Sequence, residues 1–358
     1  MGQSRGGTLG IAAAAVLMAT AVCRANDDAS VRYEFTRIRM GVPFNITVYA
    51  ADEASANSAA DAAYRRIKEL NDVFSDYDPR SELSRLLRDA KPGEPVKVSR
   101  DLITVLERAE DFSRSSDGAF DVTVGPAVRL WRRSWRSKEK PSPETIADAL
   151  SKVGYENVRI NTANSTITLA KPGMQLDFGA IAKGYACDEA LAILKSRGLL
   201  IGLVEAGGDM ACGDAPPGKD GWTIAVESLA APEEPAQRFL ALKNCGVATS
   251  GDAYQFIDFD GVRYSHIVDP KTGLGLTNHS SVTVIATDAT AADALASAVS
   301  VLGPKKGKAL IDKTDGAEML MVYVDEEGIS HEVTSSGFGT PINRESETPA
   351  EPQCRALR

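Results

Sequence analysis

Apolar and polar residues alternate from Pro43 to Ala50, with Phe44, Ile46 and Val48 on one side and Asn45, Thr47 and Tyr49 on the other. That is the period of a half-buried strand. The spacing then lengthens. Ala60, Ala63, Ile67, Leu70 and Phe74 recur at three- and four-residue steps, an apolar stripe along one face of a helix. Leu102, Val105, Leu106, Ala109 and Phe112 repeat the pattern, and Ser142 followed by Pro143 predicts the start of a third helix that ends near Gly154. Val158 and Ile160 face Ile167 and Leu169 across the turn 162–165, as in a hairpin. Ile181 to Arg197 reads as a helix closed by Gly198, followed by an apolar strand Leu199 to Val204 and the pair Gly207-Gly208. Further strands are predicted at 222–226, 239–242, 262–267, 282–286 and 319–324, and helices at 291–302 and 305–313. Helices and strands mix without a βαβ rhythm, so the expected fold class is α+β, with a largely antiparallel sheet flanked by helices.

Length changes this picture little. A chain of 358 residues permits two domains, yet no Pro/Gly/Ser-rich linker separates two patterned halves, so a single domain over 30–342 is expected, with a polar tail at 343–358. The first 25 residues are a separate unit: Arg5, an alanine-rich apolar run from Ile11 to Val22, then Cys23-Arg24-Ala25 before polar Asn26-Asp27-Asp28. This pattern is that of an export signal, too short for the ~20 apolar residues of a membrane-spanning helix. Cleavage after Ala25 and lipidation at Cys23 are both open, with Val22 standing where a lipobox has Ala or Gly. The expected location is therefore the periplasm or the periplasmic face of a membrane. A net charge of −9 disfavours nucleic acid as a partner, because phosphate neutralisation needs a basic face. Cys187, Cys212, Cys245 and Cys354 show no metal-binding spacing and read as isolated small hydrophobes; spacing does not show pairing.

Candidate chemistry is concentrated in small-residue and acidic segments, since the chain lacks GxxxxGK[ST], GxGxxG after a strand, GxSxG and HExxH, and has only three histidines. In Asp177-Phe178-Gly179-Ala180-Ile181-Ala182-Lys183-Gly184-Tyr185, small residues let backbone groups approach a ligand at a helix start, and Lys183 can meet a phosphate. Taken alone, the segment is equally a tight turn with a surface lysine. Asp293 and Ser297 stand four apart on a predicted helix, hence on one face, and offer the hard oxygen ligands that suit Mg²⁺. Such a pair by itself is more often a solvated or capping one. His266, in Tyr264-Ser265-His266-Ile267-Val268-Asp269-Pro270-Lys271-Thr272-Gly273, can accept a hydroxyl proton near neutrality; without other clues it is a turn histidine.

As an ordered set, these segments resemble the ApbE family of flavin transferases. The match runs through Met40-Gly41, Phe74-Ser75-Asp76-Tyr77, Ser81-Glu82-Leu83, Gly118 to Pro126, Trp131, Asp177 to Tyr185, Gly207-Gly208-Asp209, Ala248 to Gly251, His266 to Gly273, and Ala292 to Ser297. The resemblance implies an α+β domain that takes FAD as substrate and moves its FMN half onto a Thr or Ser hydroxyl of an acceptor protein, a membrane-associated redox protein by analogy, with release of AMP. It implies Mg²⁺ held by the Ala180 carbonyl, Asp293 and Ser297, where the family usually has threonine at the last position. FAD contacts fall on Met40, Tyr77, Ala119, Phe120, Asp121, Asp177, Lys183 and Ile267, with His266 as base and Asp269 orienting it. Glu205 departs from the small or amide residue expected before the glycine pair. Hydrolysis of FAD to FMN and AMP, or flavin storage in the periplasm, are the alternative readings.

Overall fold

In the computed structural model, which describes residues 30–226, 229, 238–251 and 255–339, the chain opens with a hairpin of β1 (Val31–Arg39) and β2 (Val42–Ala50). The segment read as an export signal, Cys23, Cys354 and the predicted tail at 343–358 lie outside the described residues. Next come α1 (Glu53–Phe74), α2 (Glu82–Asp89), β3 (Val96–Lys97) and α3 (Arg100–Ser115). They are followed by α4 (Gly125–Ser137), α5 (Pro143–Leu150), β4 (Val158–Asn161), β5 (Thr166–Leu169) and α6 (Ala182–Ser196). The second half contains β6 (Gly202–Ala206), β7 (Asp209–Cys212), β8 (Trp222–Val226), β9 (Arg238–Leu242) and β10 (Cys245–Gly251). It closes with β11 (Phe256–Phe259), β12 (Val262–Ser265), β13 (Ser280–Ala286), α7 (Ala289–Ile311), β14 (Glu318–Val324) and β15 (Ser330–Thr334).

Eight strands form one antiparallel sheet in the order β1-β2-β6-β7-β10-β13-β14-β15. Side chains alternate across it, so each face builds its own core. On one face Phe44, Ile46, Val48, Val204, Ala206, Ala211, Ala248, Val284 and Met321 pack under α1, α6 and α7. On the other, Leu203, Met210, Cys212, Val247 and Leu320 meet Trp222, Ile224 and Leu240 of the β8–β9 ribbon. A third cluster joins α4, α5 and the β11–β12 hairpin through Trp131, Ala149, Ile257, Tyr264 and Val268. The α+β class, with its antiparallel sheet flanked by helices, is as the sequence predicts.

Several boundaries differ. The predicted strand from Leu199 begins only at Gly202, because Gly198 takes a left-handed φ of 82° and Leu199 N donates back to the Leu194 carbonyl, which closes α6. The two helices expected at 291–302 and 305–313 are both present within α7, separated as predicted where Gly303 takes a non-helical φ of 73° just before Pro304.

The helical layer is tied by one half-buried arginine. Arg66 of α1 donates Nη1 to Asp101 Oδ2 of α3 at 2.9 Å and Nε to Glu189 Oε2 of α6 at 2.9 Å, while the Tyr185 hydroxyl donates to Asp101 Oδ1 at 2.9 Å. Burial alone would raise the Asp101 carboxyl, but the donors Arg66 and Tyr185 outweigh it and hold its pKa below the ordinary aspartate value. A lowered native pKa stabilises the fold above the unfolded value of about 3.9 and the gain is lost as pH falls through the native value. Asp101→Asn is therefore expected to destabilise the protein by about 1–3 kcal/mol at neutral pH, with the difference from wild type shrinking toward about pH 3. Urea melts at both pH values check this; a difference independent of pH would mean the charge is not what matters.

Candidate functional site

The blocks singled out in the sequence converge at one end of the sheet. Phe44 of β2 lies opposite Ala206 of β6, Ala206 opposite Asp209 of β7, and Asp209 opposite Ala248 of β10. That register brings the Met40-Gly41 turn, the Gly207-Gly208 turn and the Thr249–Gly251 strand end alongside one another. Met40 holds a left-handed φ of 47° within its turn. Thr249 N donates to the Gly208 carbonyl at 3.1 Å, which continues the β7–β10 pairing into the glycine turn.

Against this sheet end the first turn of α6 meets α7. Gly184 sits so close that a methyl there would run into the Ala289 carbonyl and come to 3.0 Å from Asp293 Cβ. Only glycine allows that approach. Gly184 N points at Asp293 Oδ2, 3.3 Å away. Lys183, one residue earlier, is ion-paired to Asp209 of β7 and lies 3.9 Å from Asp293 Oδ2. Asp209 and Asp293 are 2% and 5% exposed. Burial works against the Lys183 ammonium, yet the two carboxylates outweigh it and hold its pKa above the ordinary lysine value. For both Asp209 and Asp293, burial raises the carboxyl pKa.

Two buried carboxyls thus face one ammonium, and burial together with their mutual repulsion pushes them toward the protonated form, a bias that a bound cation would reverse. Ser297 follows Asp293 by one helical turn and is half-buried, and Ala180 lies two residues ahead of α6, before its N-cap Ile181. An aspartate, a hydroxyl and a main-chain carbonyl are the oxygen donors that Mg²⁺ takes, with room for substrate phosphate oxygens. The residues fit such an ion.

A second group surrounds Arg132 of α4. Its guanidinium is ion-paired with Asp76, donates to Asp177 Oδ2 at 2.8 Å, and lies 5.0 Å from the centre of the Tyr77 ring, itself 76% exposed. Two predicted FAD contacts, Tyr77 and Asp177, therefore share one partner that the sequence did not disclose. The Asp177 carboxyl is raised by burial, opposed by Arg132. The same segment is stitched to the Gly118–Pro126 block: Asp177 N donates to the Val122 carbonyl at 2.7 Å.

Ala119, Phe120 and Asp121 are buried. Asp121 accepts at Oδ1 from Thr123 N and Thr123 Oγ1, at 2.7 and 2.6 Å, and at Oδ2 from Tyr155 N at 2.9 Å. Its side chain shapes the loop from within. The 266–273 block docks on this loop, where Lys271 Nζ reaches Asp117 at 2.6 Å and the Trp131 indole donates to the Gly273 carbonyl at 2.8 Å. Ile267 is half-buried, whereas His266 is exposed with Nδ1 3.3 Å from the Gln255 carbonyl. The Asp269 carboxylate holds the turn, accepting from Lys271 N at 2.8 Å and Thr272 Oγ1 at 3.1 Å. Glu205, 1% exposed on β6, receives Asn45 Nδ2 at 2.5 Å.

Among these residues sequence reasoning missed Arg132 and the pairing role of Asp209. Both act across long sequence separations, and only the intervening glycine pair and acidic residue signalled the latter.

Comparison with known proteins bears on the whole arrangement. The sequence model of the ApbE family matches residues 40–321. An FAD:protein FMN transferase of Haemophilus influenzae is 31% identical over 327 residues, covering 88% of this chain and 93% of its own length. One of Treponema pallidum is 32% identical, covering 82% and 85%. The solved structure of the flavin transferase ApbE from Vibrio cholerae superposes with a TM-score of 0.77 at 31% identity, over 86% of this chain and 98% of that one. A Thermotoga maritima ApbE protein gives 0.75 at 34% identity, over 85% and 97%.

Proposed function

The chain belongs to the ApbE family, and from that membership we propose that it is an FAD:protein FMN transferase, using Mg²⁺ to move FMN from FAD onto a Thr or Ser hydroxyl of an acceptor protein and releasing AMP. The observation that carries the reading is the half-buried Lys183 held between buried Asp209 and Asp293 where α6 crosses α7, with Ser297 one helical turn after Asp293. It is a cation site built from oxygen donors with an ammonium already in place.

In the proposed reaction, the acceptor hydroxyl oxygen forms a bond to the FMN phosphorus as the bond to the bridging pyrophosphate oxygen breaks, and AMP leaves with that oxygen. Mg²⁺ held by the Ala180 carbonyl, Asp293 and Ser297 supplies charge neutralisation and alignment for the pyrophosphate. Lys183 presents a fixed positive charge whose position is set by Asp209, so stabilisation of the developing negative charge needs no reorganisation. With His266 Nδ1 donating to the Gln255 carbonyl, Nε2 carries the basic lone pair that takes the hydroxyl proton. Met40, Tyr77, Ala119, Phe120, Asp121, Asp177 and Ile267 line or brace the flavin-binding surface, and Asp269 keeps the His266 loop in shape. Phosphoryl transfer depends chiefly on positioning and electrostatics, so a site without a protein nucleophile suffices.

The apolar run from Ile11 to Val22 supports export, and membrane-associated redox proteins exposed on the periplasmic side are the acceptors that such a location favours.

The test is incubation of the mature protein with FAD and Mg²⁺, with and without a domain carrying an acceptor threonine, read by mass spectrometry and AMP release. A gain of one FMN on the acceptor, abolished by EDTA, is expected. Free FMN and AMP with an unmodified acceptor would make the protein a pyrophosphatase, and intact bound FAD would make it a binding protein.

Arg132→Met is expected to raise KM for FAD by about tenfold or more, about 1.4 kcal/mol, because Asp76, Asp177 and Tyr77 lose the group that orients them. An unchanged KM would remove Arg132 from the flavin site.

A further inference from the structure

Cys212 ends β7 and Cys245 begins β10, and the two residues are direct cross-strand partners in the register. Opposite residues of an antiparallel pair have Cα atoms about 4.5 or 5.5 Å apart, and both values fall within the roughly 4.4–6.8 Å that a disulfide spans. Cross-strand partners also point to the same face. Here that face is the one covered by the β8–β9 ribbon, where Cys212 is buried at 1% exposure and Cys245 is half-buried beside it. The Cys212 thiol hydrogen-bonds the Cys245 sulfur and holds its pKa below the ordinary thiol value. Cys187 differs on each count: it lies on the helical face, fully buried, with burial pushing its thiol pKa well up.

We infer that Cys212 and Cys245 are a redox-active dithiol that closes to a disulfide joining β7 to β10. The oxidant is a thiol-exchanging disulfide, such as a glutathione-type or protein disulfide. The Cys245 thiolate, the partly accessible one, attacks a sulfur of the oxidant and expels one thiolate. The Cys212 thiolate then attacks the Cys245 sulfur of the mixed disulfide and expels the second. Two cysteine thiols lose two protons and two electrons, and the oxidant leaves as two thiols. The bond joins Cys212 at one end of the four-residue β7, while Asp209, the Lys183 partner, stands at its other end. It secures the β7 register on which the Lys183 partner depends.

The inference stands apart from the transferase reading, because its readout is covalent and thermal. The folded full-length protein is incubated with oxidised glutathione, alkylated under denaturing conditions, and digested for peptide mapping. The expected product is a single linked species pairing the Cys212 and Cys245 peptides, with Cys187 alkylated as a free thiol. Dithiothreitol then lowers the thermal midpoint by about 5 °C or more, because the closed loop restricts the unfolded chain. Cys212→Ser is expected to abolish both the linked peptide and the reductant-dependent shift. Cys245 carrying only a glutathione adduct, or both cysteines recovered free, would overturn the inference, as would a reductant-dependent shift that survives in Cys212→Ser.

Discussion

Replacing Asp293 with asparagine is expected to lower the rate of FMN transfer by about a thousandfold, the scale of losing a group that stabilises transition-state charge. The chain should still fold. Asparagine keeps an oxygen for Gly184 N, which approaches Asp293 Oδ2 at 3.3 Å, and it relieves Asp209 of a buried like charge. The thermal midpoint is therefore expected to hold or rise while activity collapses. That split separates a role in chemistry from a role in packing, since truncating a structural contact would lower both. A variant retaining transfer within about tenfold of wild type at saturating Mg²⁺ would remove Asp293 from the metal site.

Gly184→Ala, by contrast, should lower stability and activity together. Alanine is favoured over glycine within a helix by about 1 kcal/mol, so intrinsic propensity predicts stabilisation. The added methyl, however, meets the Ala289 carbonyl and Asp293 Cβ, and neither the α7 backbone nor a buried aspartate can yield without displacing the helix. Overpacking of this kind costs about 1–3 kcal/mol and more where backbone is the obstacle. A net fall in thermal midpoint of several degrees is expected, accompanied by loss of transfer as Lys183 and Asp293 are forced apart. Differential scanning calorimetry decides the sign, and a rise in midpoint would mean that α6 and α7 separate more easily than their contact implies.

What could be read from the sequence followed from how local the signal was. β2 and the β4–β5 hairpin were visible because purely apolar residues on one side of each strand alternate with polar or amphipathic ones on the other. β1 was missed although Val31, Tyr33 and Phe35 alternate with Arg32, Glu34 and Thr36, because the pattern breaks at Arg37-Ile38-Arg39 and, at the edge of the sheet, Val31 and Ile38 are more than half exposed. α4 was missed because arginines interrupt its apolar stripe; Arg132 turns back to bridge Asp76 and Asp177, 56 and 45 residues away. In the candidate site, Lys183, Asp293 and Ser297 stood out as candidates in their segments, whereas the pairing of Lys183 with Asp209 depends on α6 lying over β7, which no local pattern encodes. The cysteine pair was illegible on the same grounds. Cys212 and Cys245 read as isolated apolar residues until the strand register placed them side by side.

Trp131 stacks on Tyr264 with ring centres 4.9 Å apart and anchors its indole on Gly273, and it is buried from water. The indole is therefore an optical reporter of the 264–273 loop. With Trp135 and Trp222 changed to phenylalanine, its emission would isolate the docking of that loop from signals elsewhere in the molecule. A titration with FAD followed by this fluorescence, in the absence of any acceptor, would read occupancy separately from turnover.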